Sequence, residues 1–169
     1  MFGLKKQPAP AKGSTPSTNA AATSSSTTTT KQRGQIGEDA AALFLQARGY
    51  QIIARNWRPG NSLRGEIDAI AWTQNARGQK ILCFVEVKAR MGNLSSLPAK
   101  NNPPIREIAA PQEAVTLSKQ RQIARLANAY VSIHKLDNVA CRFDVVEVWL
   151  YREKAPHCSL CANAFDYRE

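Results

Sequence analysis

The amino-acid sequence predicts an α/β domain, a small mixed sheet flanked by helices, on three observations. Residues 65–90 read as two adjacent strands joined by a polar turn, the first alternating with period two and the second mostly apolar. Residues 35–48 and 116–134 carry apolar side chains at helical spacing. These patterns interleave along the chain in the order α-β-β-β-α-β, as expected of a layered domain whose strands and helices are not segregated.

Pro, Ala, Ser and Thr dominate residues 1–30, where Phe2 and Leu4 are the only large apolar side chains besides Met1. Such a composition cannot bury enough surface to fold, so a disordered leader is expected before a domain at 31–150. The first helix, 35–48, has an apolar stripe of Ile36, Ala40, Leu43, Phe44 and Ala47, and Gly49 is its stop. Glu38 and Asp39 fall in its expected first turn, where negative charge suits the helix dipole. The run YQIIARNW at 50–57 predicts a strand, and RPGNS at 58–62 a turn.

The second strand, 65–73, places Glu66, Asp68, Ile70 and Trp72 on one side and Ile67, Ala69 and Ala71 on the other. Residues 74–78 supply a hairpin turn with its glycine, and 80–89 is a central strand. Residues 91–111, with Pro98, Pro103, Pro104 and Pro111, form a connection of a length that is usually functional or disordered. The second helix, 116–134, sets Leu117, Ile123, Leu126, Ala127, Tyr130, Val131 and His134 on its apolar side and Lys119, Gln120, Arg121, Gln122 and Arg125 near its beginning. That cluster is expected to be solvated or to touch phosphates. In the last strand, 141–150, Arg142, Asp144, Val146 and Val148 share one face and Phe143, Val145, Glu147 and Trp149 the other. Residues 151–169 are expected to be a tail.

Glu86 and Lys88 interrupt the apolar third strand two residues apart, so they share a face. Charges in a buried strand are costly unless paired, hydrogen-bonded or bound to a metal. A cross-strand ion pair or a solvated face is the plain explanation of an E-x-K pair. Asp68 on the neighbouring strand brings a second carboxylate to the same place, and Phe84, Val85 and Val87 supply apolar flanks. Two carboxylates and an ammonium at one sheet edge suit a hard divalent cation, Mg²⁺ or Mn²⁺, that neutralises a phosphodiester. Lys88 would then orient or deprotonate a water, or steady the charge at phosphorus.

Lys and Arg number 23 against 13 Asp and Glu, a formal charge of +10. Lys5, Lys6 and Lys12 are the only charges in 1–30, and 151–169 carries both signs equally, so most of the surplus belongs to 31–150. A basic folded domain favours nucleic acid or another polyanion as partner. No apolar run approaches a membrane span and none follows Lys5 and Lys6, so a cytoplasmic location without membrane contact is expected. Cys83 and Cys141 read as small core residues, and no disulfide framework is suggested. Cys158 and Cys161 make a C-x-x-C, half of a zinc site with no second half in the sequence.

The segments GQIGE (34–38), GY (49–50), NWR (56–58), GEID (65–68), FVEVKAR (84–90) and RFDVV (142–146) together resemble the YraN-like family, over about residues 31–150. The resemblance implies a restriction-endonuclease-like core, similar to Holliday-junction resolvases within the nuclease superfamily that carries a PD-(D/E)-x-K signature. By that similarity Asp68 and Glu86 are the acidic metal ligands, Lys88 is the signature lysine, and Glu38 is a first-helix carboxylate that joins them. Lys119 matches a basic position of the second helix able to approach a phosphate. Glu66 belongs to the family's G-E-I-D pattern, with an ion pair to a nearby arginine as one role. Ile67 stands where the generic signature has proline, and the 91–111 connection is longer than the family pattern.

The leading expectation is a Mg²⁺-dependent, structure-directed DNA endonuclease of repair or recombination. Asp68, Glu86 and Glu38 would hold the metal, and Lys88 would act on the attacking water. Arg90, Lys119, Arg121 and Arg125 would position the backbone of a branched or otherwise structured DNA by its shape. A homodimer would suit symmetrical cutting of two strands. The alternatives are a nucleic-acid-binding module that keeps the fold without cutting, and an interaction scaffold. The binding module gives no reason to bury three charges together, and the scaffold predicts that basic surface residues matter and the acidic ones do not.

Overall fold

The computed structural model describes residues 29–60, 63–92 and 115–166. The expected leader, except for its last two residues, and most of the 91–111 connection lie outside these. The chain runs α1 (Thr30–Gln46), β1 (Gln51–Trp57), β2 (Ile67–Gln74), β3 (Lys80–Met91), α2 (Leu117–His134), β4 (Cys141–Leu150) and β5 (His157–Phe165). The five strands form one sheet in sequence order; β3 and β4 are parallel and the other neighbours antiparallel. The expected α-β-β-β-α-β order is present. A fifth strand follows it, in the stretch expected to be a tail.

Strand parity divides the core into two layers. On one face Ile70, Leu82, Phe84, Phe143 and Val145 pack against Ile123, Leu126, Ala127 and Tyr130 of α2. On the other, Ala69, Ala71, Cys83, Val85, Val146 and Val148 pack against Ala41 and Leu45 of α1. The predicted division of β4 into two faces holds throughout. Strand β2 departs from it at its start, because Ile67 joins Ile70 in the α2 layer. There the β2–β3 ladder has ended, its last pair being Ala69 with Val85, and Ile67 pairs only with Trp57 of β1.

Helix α1 begins five residues earlier than its apolar pattern indicates. Thr29 caps it, accepting from the Gln32 N–H, while the Gln32 side chain accepts from the Thr29 N–H at 2.8 Å. Glu38 and Asp39 therefore lie beyond the first turn, which holds no acidic residue, and the dipole explanation for them fails. The buried face also differs from the predicted stripe. Gly37, Ala41, Ala42 and Leu45 are buried, whereas Ile36 is 46% and Leu43 69% exposed. Close approach selects this face: a Cβ on Gly37 would lie 2.5 Å from the Ala89 Cβ.

In α2, Thr116 is the N-cap, Gln120 is buried with its amide donating to the Val115 carbonyl at 2.8 Å, and Leu117 is exposed. Cys141 is exposed at the start of β4, unlike the buried Cys83 expected to resemble it. Among the described residues no helix is long and apolar enough to cross a membrane.

Candidate active site

The site forms where β2 and β3 part. Beyond the Ala69–Val85 pair the ladder stops, and the Asp68 carboxylate takes over by accepting the Val87 N–H at 2.7 Å. This satisfies a backbone donor of β3 and fixes Asp68 next to Glu86. Burial, and then the Glu86 charge, push Asp68 up to about 7; the Val87 hydrogen bond and the Lys119 charge pull the other way, and Glu38 adds to the rise. Two carboxylates forced together in a half-buried place behave as a pair that prefers to share a proton or a cation.

Glu86 is 4% exposed and lies on the α2 side of β3. Its Oε1 accepts from Lys88 Nζ at 2.8 Å, and its Oε2 lies 3.1 Å from Lys119 Nζ. The second contact is an ion pair without hydrogen-bond geometry, so the buried Oε2 has no hydrogen-bond partner. Lys119 reaches it from the first turn of α2, which brings a helix residue 33 positions away onto the E-x-K pair. Further along β3, Arg90 lies 3.4 Å from Glu147, a buried carboxylate of β4 that the sequence reading did not single out. Lys88 and Glu147 are register partners in the parallel β3–β4 pair, so the site occupies the carboxyl end of that pair.

Glu38 stands at the rim. Its carboxylate accepts from Asn56 Nδ2 at 2.9 Å, and Asn56 has a left-handed backbone, φ 49°, opposite the start of β2. Together with Val87, Lys88 and Arg90 it lines a cleft of about 320 Å³ between α1 and β3. Asp39 points elsewhere, to Arg55 at 2.6 Å. On the α2 side a second cleft, about 400 Å³, is lined by Arg64, Thr116, Ser118, Lys119, Gln122 and Arg125. Arg125 shares that lining with Lys119 and its Nε donates to the Arg121 carbonyl at 3.3 Å, whereas Arg121 is outside the lining. Glu66 forms an ion pair with Arg58, whose Nε donates to Oε2 at 2.9 Å.

Among the described residues no three His, Cys, Asp or Glu side chains come together as a ready metal-ligand set, so Glu38 does not complete a three-carboxylate cage with Asp68 and Glu86. The pair itself fits a hard divalent cation. Both donors are carboxylate oxygens, Glu86 Oε2 lacks a hydrogen bond, and the mutual repulsion that raises Asp68 would be relieved by positive charge. The C-x-x-C does not fit zinc. Cys158 packs in the α1 layer and Cys161 in the α2 layer, so the two sulfurs lie on opposite faces of β5.

A second buried polar cluster supports the fold. Asp144, 0% exposed, accepts from Tyr50 OH at 3.0 Å, from Arg142 Nε at 2.7 Å and Nη2 at 2.9 Å, and from the Asn163 N–H at 2.9 Å. Burial and the Asp144 charge hold the Tyr50 phenol above its usual range, and burial pushes the Cys83 thiol to about 12. These groups bind β4 to β5 and to the residue before β1.

A family model described as "Uncharacterised protein family UPF0102" matches residues 37–148. A UPF0102 protein of Symbiobacterium thermophilum is 44% identical over 132 residues, covering 78% of this chain and 94% of that protein. One of Moorella thermoacetica is 39% identical over 124 residues, covering 73% and 86%, and one of Acetivibrio thermocellus 38% over 136 residues, covering 78% and 89%.

Proposed function

From the premise that the chain belongs to the UPF0102 (YraN) family, we propose that this member is a metal-dependent endonuclease that hydrolyses phosphodiesters in branched or otherwise structured DNA. One observation carries the reading: Asp68 and Glu86 are crowded until Asp68 rises to about 7, with an ammonium, Lys88, 2.8 Å from Glu86. An ordinary ion pair needs one carboxylate. The second is surplus for stability and useful for a cation.

Asp68 and Glu86 would hold Mg²⁺ or Mn²⁺, with Glu38 at the rim and the Val87 carbonyl within the same strand. Such a cation, when bound, supplies charge neutralisation at the phosphodiester and a more acidic water. Lys88 orients the attacking water in line with the leaving oxygen and steadies the negative charge that grows on phosphorus. Lys119 keeps Glu86 in place and extends its charge into the α2-side cleft, where Arg125 continues it; Arg90 does the same beyond Lys88. These cations recognise backbone, so selectivity would come from the path the strand takes and not from base edges. A homodimer would present two such sites to two strands.

A second reading draws on the same residues. Glu86 already has two lysine partners, and a closed Lys88–Glu86–Lys119 triad is also what a non-catalytic nucleic-acid-binding module would keep. The test is to incubate the protein with labelled four-way junction, flap, single-stranded and duplex DNA, and with RNA, in Mg²⁺, Mn²⁺ or EDTA. Asp68→Ala and Lys88→Ala proteins run alongside. Cutting that requires the cation and is lost in both variants supports the nuclease and identifies its substrate shape. Binding without cutting, unchanged in Asp68→Ala, selects the binding module.

A further inference from the structure

Arg33 has no role in the reading above, yet its position is unusual for a surface cation. Its Nε is buried and has no hydrogen-bond partner among the described residues. A guanidinium N–H removed from water without an acceptor is costly, and such groups in native structures call for an explanation. The side chain lines the α1–β3 cleft together with Gly34, Lys88 and Arg90.

Two glycines shape that cleft. Gly37 allows α1 to lie directly on β3, since a Cβ there would meet the Ala89 Cβ at 2.5 Å, and this carries the first turns of the helix to the end of the strand. At Gly34 a Cβ would meet nothing within 4 Å, so the wall is open on the side next to Arg33. Of the cations that line it, Lys88 is paired with Glu86 at 2.8 Å and Arg90 lies 3.4 Å from Glu147, so Arg33 is the one without a carboxylate partner among the described residues, while Glu38 accepts from Asn56. A cationic cleft with an unsatisfied fork donor matches an anion bearing several acceptor oxygens.

The ligand class follows from what adjoins the cleft. Lys88 belongs to both the cleft and the centre, and on the other side Lys119 joins the same centre to the cleft of Arg64 and Arg125. Two basic clefts that meet at one pair of carboxylates suit a chain of regularly spaced anions better than a single small one. We propose that Arg33 binds a non-scissile phosphate of a nucleic-acid strand on the α1 side of Lys88. This rests on the nucleic-acid reading of the site but not on hydrolysis.

The test measures fluorescence anisotropy of a labelled single strand and a labelled four-way junction across a salt series, in EDTA so that nothing is cut. Arg33→Ala, Gly34→Glu and, as a charge control in the β2–β3 turn, Arg77→Ala are compared with the unaltered protein, with thermal melts to confirm folding. Arg33→Ala is expected to weaken binding about tenfold, the effect of losing one charge-assisted hydrogen bond. Its log–log salt slope on the single strand should shrink by about 0.7, one phosphate contact. Gly34→Glu, which places a negative charge in the open wall, should weaken binding at least as much, and Arg77→Ala should leave affinity nearly unchanged. Wild-type affinity and slope in both Arg33→Ala and Gly34→Glu would overturn the subsite. If the protein cuts no substrate yet Arg33→Ala still loses affinity and slope, hydrolysis fails and the subsite stands. If the unaltered protein binds no nucleic acid, both fall.

Discussion

Asp68→Asn should make the protein more stable at neutral pH, although it removes a residue proposed to be essential. Asp68 ionises normally near 3.8 and is raised to about 7 in the folded chain, first by burial and then by Glu86. A carboxyl group raised on folding holds a proton that the unfolded chain has already released. Stability from this group is therefore present at low pH, falls as pH rises from about 4 to about 7, and stays low above that. Each unit between the two values is worth about 1.4 kcal/mol, so the deficit at pH 8 is about 4 kcal/mol at most, and less if the pair relaxes. Asparagine keeps an oxygen for the Val87 N–H, now 2.7 Å from Asp68, and has no proton to lose. For a domain of this size that is a rise in Tm of about 10 °C at pH 8.

The assay is thermal melting of both proteins from pH 4 to 8 in EDTA, because any cation bound to the folded state would mask the deficit by mass action. The difference between them should open between pH 4 and 7 and then level off. Adding Mg²⁺ or Mn²⁺ at pH 8 should raise the Tm of the unaltered protein and not that of Asp68→Asn. A variant no more stable than the parent at pH 8, or a difference that ignores pH, would refute the claim that Asp68 and Glu86 repel each other in a desolvated place.

Three further outcomes follow from the same geometry. Mn²⁺ affinity, followed by calorimetry or electron paramagnetic resonance, should climb from pH 6 to 8, since Asp68 must lose its proton to bind and does so near 7. Gly37→Ala, normally worth about 1 kcal/mol to a helix, should instead destabilise by about 1–3 kcal/mol in urea because its Cβ meets Ala89 at 2.5 Å. The double variant with Ala89→Gly should recover most of that loss. Asp144→Ala should cost about 3–5 kcal/mol, because it strands the half-buried Arg142 along with the Tyr50 hydroxyl and the Asn163 N–H.

The centre was legible because strands write their faces in the sequence. Glu86 and Lys88, two apart in an apolar run, had to share a side, and Asp68 lay on the adjoining strand of a hairpin. Helix α1 was less legible. Ranking side chains by hydrophobicity favours Ile36 and Leu43, but the burial of Gly37, Ala41 and Leu45 depends on how closely the helix approaches β3, which composition does not express. Its start was missed because the helix is begun by a Thr29–Gln32 capping box within a threonine run that reads as low complexity. That miss also hid Arg33, which looks like a flanking residue if the helix begins at Gln35. Strand β5 was missed because residues 157–165, HCSLCANAF, pair only with β4 at the sheet edge and alternate weakly.

The α2-facing row of β3 explains why chemistry belongs at this end of the sheet. Leu82 and Phe84 are fully covered, Glu86 is 4% exposed, Lys88 is half-buried and Arg90 is exposed. Along one strand the environment thus passes from core to solvent, and the charges begin where the core ends. Glu86, on the inner side of that boundary, is matched by an ammonium from its own strand and another from α2. Among the described residues Asp68 has no ammonium in contact; its direct partner is the Val87 N–H, and Lys119 acts on it only through space. The fold thereby separates two tasks that a single ion pair would combine. Glu86 ties the strand to the helix, while Asp68 is left as the group whose charge is least compensated, which is the condition for a cation to be gained there without dismantling the pairing that holds the site together.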